Sequence, residues 1–463
     1  MRRPLIPTLV LLLLCLVGAP EADAQARSQT KTQAAGPRRL AFVGGMLLDG
    51  YDVPPLHHAA VLVENDTITW VGRAADAKIP AGTRIIDTSG RVMLPGLIDL
   101  HVHLKNIGHG DYARWDPWLM ERNLLPTINA ISAKQLLMAG VTSAVELGAQ
   151  IPEILNTRDS IAKGEIPGPR MFVSGPWITR SLGSYQPKPV RQILIDTPEE
   201  AARATEDLIA KGVDVIKAYV GLTPAHYKAI ADAAHKHGKR VHAHVYAERD
   251  TRAALENGID VLTHAGSAGT APPYTPELIT DIVNAGRPVV VTAAHRSWVF
   301  PDTVAFPERL QDPQLRADFG PEIYAEVQRS FENFQGLSYM SRVDREVSFR
   351  ERGLGQFIES GAILGMGTDS GTPLNFHTEA LWREIKAHVD LGMSPRRAIM
   401  AATRINARIL GRNDLGTLEA GKLADLIVVN GDPLFDIQAL GRVEIVVKGG
   451  VIFKGDPATA PAR

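Results

Sequence analysis

Leu94-Pro95-Gly96-Leu97-Ile98-Asp99-Leu100-His101-Val102-His103 is the stretch from which the rest of the chain can be read. A Pro-Gly pair opens it, an apolar run follows, and two imidazoles end it. On a strand, residues two apart point the same way, so Asp99, His101 and His103 share a face, with both imidazoles at the carboxyl end. Two neutral imidazoles aimed at one point make a grip for a divalent transition metal. A bare His-x-His also fits two histidines with no common task, so the decision lies with the other strands.

Outward from this stretch the pattern repeats as strand, loop and helix. A helix at Thr127–Ala139 leads to a strand at Val141–Leu147, and Arg170–Ser174 is the next. Thr197-Pro198 and Thr223-Pro224 open helices with a capping hydroxyl and a proline in the first turn, before strands at Val213–Val220 and Val241–Val245. Ile259–His264, Pro288–Thr292 and Ala362–Asp369 complete eight. Strands alternating with helices run parallel, and eight of them predict an α/β fold, a (β/α)8 TIM barrel over residues 94–411. Residues 39–93 and 412–456 read instead as short strands and turns. Ala59–Glu64 and Thr67–Gly72 form a hairpin over Asn65-Asp66, and Leu415–Val429 and Val443–Val447 return to strand at the other end. A small β-sandwich domain built from both chain ends is therefore expected beside the barrel. Residues 295–350 form a long insertion after the seventh strand, rich in aromatics from Trp298 and Phe300 to Phe334 and Tyr339. It reads either as a lid or as a helical insertion packing those rings on the barrel or on another subunit.

Composition limits the function. Fifty basic residues balance 51 acidic ones, so no electrostatic footprint points to nucleic acid or an anionic membrane. Arg2-Arg3, the apolar run Leu9–Val17 and Ala22-Asp23-Ala24 read as a signal peptide over residues 1–26, with a disordered leader over 27–38. The apolar run is shorter than the roughly 20 residues a spanning helix needs. An exported, periplasmic or secreted, protein without a membrane anchor is expected. The only cysteine, Cys15, lies in that signal, so the mature chain has no disulfide and no thiolate ligand. Any metal falls to histidine, carboxylate or a modified lysine.

The strand ends supply such ligands. The fourth strand carries Lys217 and Tyr219, with Val213, Val215 and Lys217 on one face. A lysine facing inward there loses its charge readily, and the neutral amine can capture carbon dioxide as a carbamate that bridges two metals. Facing outward, it would pair with Asp214. The fifth strand ends in His242-Ala243-His244, the sixth in His264 and the eighth in Asp369. Barrel enzymes place their sites at these carboxyl ends.

Taken together, the Leu94–His103 stretch, Gly140-Val141-Thr142, Gly168-Pro169-Arg170, Val215-Ile216-Lys217, His244, Gly258–His264, Gly367-Thr368-Asp369 and the Leu415–Pro433 tail resemble the amidohydrolase superfamily. The likeness is to its imidazolonepropionase-like and Xaa-Pro dipeptidase subgroup, which includes secreted ochratoxin-hydrolysing relatives, and it spans Leu40 to Val447. It implies two divalent ions, most often Zn2+. His101, His103 and Asp369 would hold one and His244 and His264 the other, with Lys217, as N6-carboxylysine, bridging them. His244 is preferred to His242 because its spacing from Gly238-Lys239 matches the family. The implied activity is cleavage of an amide in a dipeptide or N-acyl amino acid, with Asp369 as the catalytic proton carrier. The alternatives are an imidazolonepropionase-like or deaminase-type hydrolase of cyclic amides and amidines, a lactonase or carbamate hydrolase, and a binding protein on an inactive barrel. Tyr219, Arg180, Tyr185, His295 and Arg296 are the candidates to hold substrate. The loop from Trp177 to Gln186 departs from the Gly-Gly-His of the Xaa-Pro group, so the resemblance carries amide chemistry further than a preference for proline. A homo-oligomer with a small-molecule substrate is implied.

Overall fold

The computed structural model describes residues 37–181, 191–266, 273–295, 299–333, 336 and 343–455. The expected signal peptide and nearly all of the leader fall outside these residues. No helix among the described residues is long and apolar enough to cross a membrane.

Seven short parallel strands form most of a barrel: Leu97–Val102, Val141–Glu146, Arg170–Val173, Ile216–Ala218, Val241–His244, Val261–Thr263 and Val289–Val290. They pair in chain order, with the third joined to the fourth through Asp214 N donating to Val173 O at 2.8 Å. The segment expected as the eighth strand, Ala362–Asp369, is not a regular strand. It closes the barrel through single bridges, Val289 to Leu364 and Val102 to Ser370, and through Leu100 N to Met366 O at 3.0 Å and Asp369 N to His101 O at 2.8 Å. Two features replace the missing ladder. The Asn406 amide bonds Ile98 O, Met366 O and Met366 N across the barrel floor. Gly367 lets the segment approach so closely that a Cβ there would sit 2.6 Å from Val290 Cγ1.

The helices cover the barrel as their caps predict. Thr197 and Glu200 form a reciprocal capping box on Pro198–Ala210, and Thr275 caps Pro276–Asn284. The small domain draws on both chain ends. One sheet orders Thr67–Arg73, Ala59–Glu64, Arg39–Val43 and Arg84–Asp87. The other orders Val451–Lys454, Val443–Lys448, Leu426–Asn430, Arg91–Pro95 and Met46–Leu47. Phe42, Val61, Ile68, Met93, Leu426 and Val447 fill the space between them.

The described part of the insertion is helical, with Phe300–Ala305, Pro313–Phe331 and Val343–Ser360. Phe300, Phe319 and Phe331 pack with Trp115, Leu119 and Phe376, so its aromatics seat on the loops after the first and eighth strands. Buried Glu326 ties the two together, accepting from Arg114 at 2.5 Å and Arg329 at 2.7 Å. Trp298, Phe334 and Tyr339 lie outside the described residues.

Candidate metal centre

The closing segment and the first strand bring three ligands into register. One ligand atom each from His101, His103 and Asp369 lies within 4.8 Å of the others, and all three residues are buried. His103 Nε2 is 3.0 Å from Asp369 Oδ1, and His101 Nε2 is 3.6 Å from the same oxygen. Asp99, on the same strand, is not part of this group. Its carboxylate accepts from Thr368 Oγ1 at 2.7 Å, Thr368 N and His101 N, and so fastens the closing segment to the first strand.

The remaining imidazoles continue from that group. The His264 ring centroid lies 4.6 Å from that of His101 and 4.5 Å from that of His244. Its Nδ1 meets Thr292 Oγ1 at 2.8 Å, and that hydroxyl donates to Val291 O, which leaves Nε2 to carry a lone pair. Asp369, His264 and Thr292 all have positive φ, 57°, 65° and 55°, a conformation uncommon outside glycine and found at functional sites.

Lys217 points inward. Its side chain is completely enclosed, and Nζ donates to Thr263 Oγ1 at 2.7 Å. Asp214, the partner an outward lysine would take, is held instead by Arg158 at 3.0 Å. Burial pushes the Lys217 amine down to about 7. His242 pairs with Lys217 in the sheet register, and neither of its ring nitrogens has a hydrogen-bond partner among the described residues.

The electrostatics suit a cation. Burial, with a contribution from Lys217, holds His101 well below the ordinary histidine range, and burial with His244 does the same for His264. Burial alone would raise Asp369, but the hydrogen bond from His103 and the charges of His101 and His264 outweigh it and hold the carboxyl well below its usual range. Burial would lower His103 as well, but its hydrogen bonds to Asp369 and Glu146 raise it. Imidazoles beside an ionised carboxylate form a nitrogen and oxygen donor set that fits a divalent transition ion. Among the described residues His101 Nδ1 is buried without a hydrogen-bond partner, a cost the fold carries at this point.

Of the residues expected to hold substrate, two lie at the centre. Tyr219 stacks on Trp177 at 4.2 Å and meets the edge of His244 at 4.6 Å, while His295 Nδ1 is 3.6 Å from Asp369 Oδ2. Arg180, just past the short strand Trp177–Thr179, pairs with Asp196 on the surface at 3.2 Å. Tyr185 and Arg296 lie outside the described residues. Sequence reasoning missed Trp177, Tyr246 and Glu146. Tyr246 meets the His244 ring at 4.5 Å, and Glu146 lies behind His103. An acidic residue ending the apolar run Val141–Glu146 was the available signal for the last of these.

A parallel barrel that gathers imidazoles and a carboxylate where its strands end is a metal-binding enzyme by architecture. Residues 92–453 match the family model described as the Amidohydrolase family. An imidazolonepropionase from Deinococcus radiodurans is 24% identical, over 87% of this chain and 92% of its own. A candidate prolidase from Bifidobacterium longum is 28% identical in structural alignment, with a TM-score of 0.70 over 91% of this chain and 96% of its own. The A. niger ochratoxinase, at 24% identity and a TM-score of 0.69 over 91% of this chain and 96% of its own, shares the fold. The chain belongs to the amidohydrolase family, and it is a hydrolase of carbon–nitrogen bonds.

Proposed function

We propose that this protein is an exported binuclear metal amidohydrolase that cleaves the amide bond of a dipeptide or an N-acyl amino acid. The observation that carries this reading is Lys217, fully enclosed in the barrel and near enough to His101, His264 and Asp369 to act on their charge. A one-metal deaminase or imidazolonepropionase has no use for a bridging lysine there, although curated imidazolonepropionases match along most of the chain.

His101, His103 and Asp369 would hold one ion and His244 and His264 the other, with Lys217 as a carbamate between them. Zinc best suits the donors. When bound, such ions lower the pKa of a water toward neutrality and polarise a carbonyl. Asp369 would take the proton of the attacking water as the carbon–oxygen bond forms. It then returns that proton to the departing nitrogen as the carbon–nitrogen bond breaks, yielding a carboxylate and an amine. His295 Nδ1 approaches Asp369 Oδ2 at 3.6 Å, while Oδ1 lies 3.0 Å from the His103 Nε2 that would share its ion. Trp177, Tyr219 and Tyr246 form an aromatic wall against His244, suited to an apolar side chain of the substrate.

The test is metal counting on purified protein together with a panel of dipeptides and N-acyl amino acids. Two ions per chain and chelator-sensitive amide hydrolysis are expected. A single ion with activity confined to imidazolones or amidines would move the assignment to the cyclic-amide class. Export predicts that protein recovered from the expressing cell begins near Gln25. Sedimentation tests the homo-oligomer.

A further inference from the structure

His103 meets a carboxylate at each ring nitrogen. Nε2 faces Asp369 at 3.0 Å, and Nδ1 faces Glu146 Oε1 at 3.4 Å. Glu146 ends the second barrel strand, directly opposite Val102 in the parallel register, and its side chain is fully enclosed. Its other oxygen accepts the backbone N–H of Leu104 at 2.5 Å. An enclosed carboxylate is costly unless its lone pairs are used, and these two contacts spend them on His103 and its chain neighbour. Lys105, enclosed nearby and paired with Asp116 at 2.5 Å, adds compensating positive charge.

We propose that Glu146 is a positioning residue of the metal centre: it holds the His103 proton on Nδ1, so that Nε2 presents its lone pair to the ion beside Asp369. The inference rests on His103 being a metal ligand. The opposite side of the centre shows what Glu146 adds. His264 also has its Nδ1 fixed, but by the neutral hydroxyl of Thr292 at 2.8 Å. An imidazole whose N–H is bonded to a carboxylate is a stronger base than one bonded to a hydroxyl, and such outer partners typically govern about 10–100-fold in metal affinity. The ion held by His101, His103 and Asp369, with three protein ligands of its own against two, is therefore the tighter, and Glu146 adds to that affinity.

Zinc alone is the probe. Both dissociation constants are measured on the purified full chain by chelator competition. Cobalt substitution gives a visible spectrum of the site, and calorimetry gives the melting temperature of the metal-free protein. Glu146→Gln keeps the size and loses the charge, and Glu146→Ala removes the contact. Each is expected to weaken the tighter ion by about tenfold or more, to change the cobalt spectrum and to leave the second ion within about threefold, with the metal-free melting temperature of Glu146→Gln near wild type. Full zinc affinity in His103→Ala would overturn the ligand reading itself. Loss of an ion in His103→Ala, with both affinities intact in the Glu146 variants, would overturn only the role given to Glu146. Equal weakening of both ions together with a less stable metal-free protein would also overturn it, marking Glu146 as a packing residue. If Glu146→Ala does not fold, Glu146→Gln decides.

Discussion

One methyl group at Gly367 should be felt at the metal centre. A Cβ there would lie 2.6 Å from Val290 Cγ1, 3.0 Å from His101 Cβ and 3.1 Å from His101 N. Carbon contacts are ordinarily about 3.5–4.0 Å, so Gly367→Ala must push the closing segment away from the first and seventh strands by nearly an ångström. Overpacking of this kind costs about 1–3 kcal/mol. Restricting the unfolded chain returns about 0.4–1 kcal/mol, so the net loss is about 1–2 kcal/mol. The displacement reaches Asp369 two residues on, whose N–H bonds His101 O at 2.8 Å, so zinc affinity should fall as well. Val290→Ala removes the closest obstructing atom. Alone it costs about 1.5–2 kcal/mol of burial, but combined with Gly367→Ala the two losses should fall short of their sum by about 1 kcal/mol. Urea denaturation of the metal-free single and double mutants measures these quantities, and chelator competition follows the metal. A neutral or stabilising Gly367→Ala, or strict additivity with Val290→Ala, would refute close approach as the means of barrel closure.

Three further outcomes follow from the same geometry. Asp369→Asn should lower kcat by about 10²–10⁴-fold, because the amide cannot carry the proton, and retention of wild-type kcat with metal bound would remove Asp369 from the chemistry. Arg180→Ala should leave KM unchanged in steady-state assays, since that guanidinium serves Asp196 on the surface; a large rise in KM would restore it to the substrate site. Burial alone would raise the Glu326 carboxyl, but the hydrogen bonds from Arg114 and Arg329 prevail and hold it at about 2 against an ordinary 4.5. Between those values the unfolded chain binds the proton more readily, so the contribution is fully present above pH 4.5 and is lost as pH falls toward 2. Denaturation midpoints of Glu326→Gln should accordingly approach wild type as pH falls from 4.5 to 2, and a gap at pH 2 as large as at neutral pH would contradict the assignment.

Several elements were legible because their signals are local. Thr197-Pro198 with Glu200 describes a capped helix by residue type alone, and the helix begins there. Asn65 between two apolar runs describes a hairpin, and Asn65 takes the positive φ such a turn needs. His101 and His103 declare a strand end rich in ligands, and the structure places them together. The eighth segment was misjudged as a strand because an apolar, glycine-spaced run looks alike whether a ladder or a side chain satisfies its backbone. Asn406, far along the chain, does much of that work. The partner of Arg180 was not legible for a related reason: a cation in a loop after a barrel strand has no local sign of which carboxylate it meets.

The sequence by itself determined the alternation of strands and helices and the kinds of ligand at the strand ends, since both depend on residue type and short spacing. Only the tertiary structure decided that Lys217 faces inward toward Thr263, that Glu146 backs His103 and that Arg180 pairs with Asp196. A period of two says which residues share a face but not which face the barrel encloses. That choice is made when the ring of strands closes, and with it are settled burial, charge state and every contact across the chain.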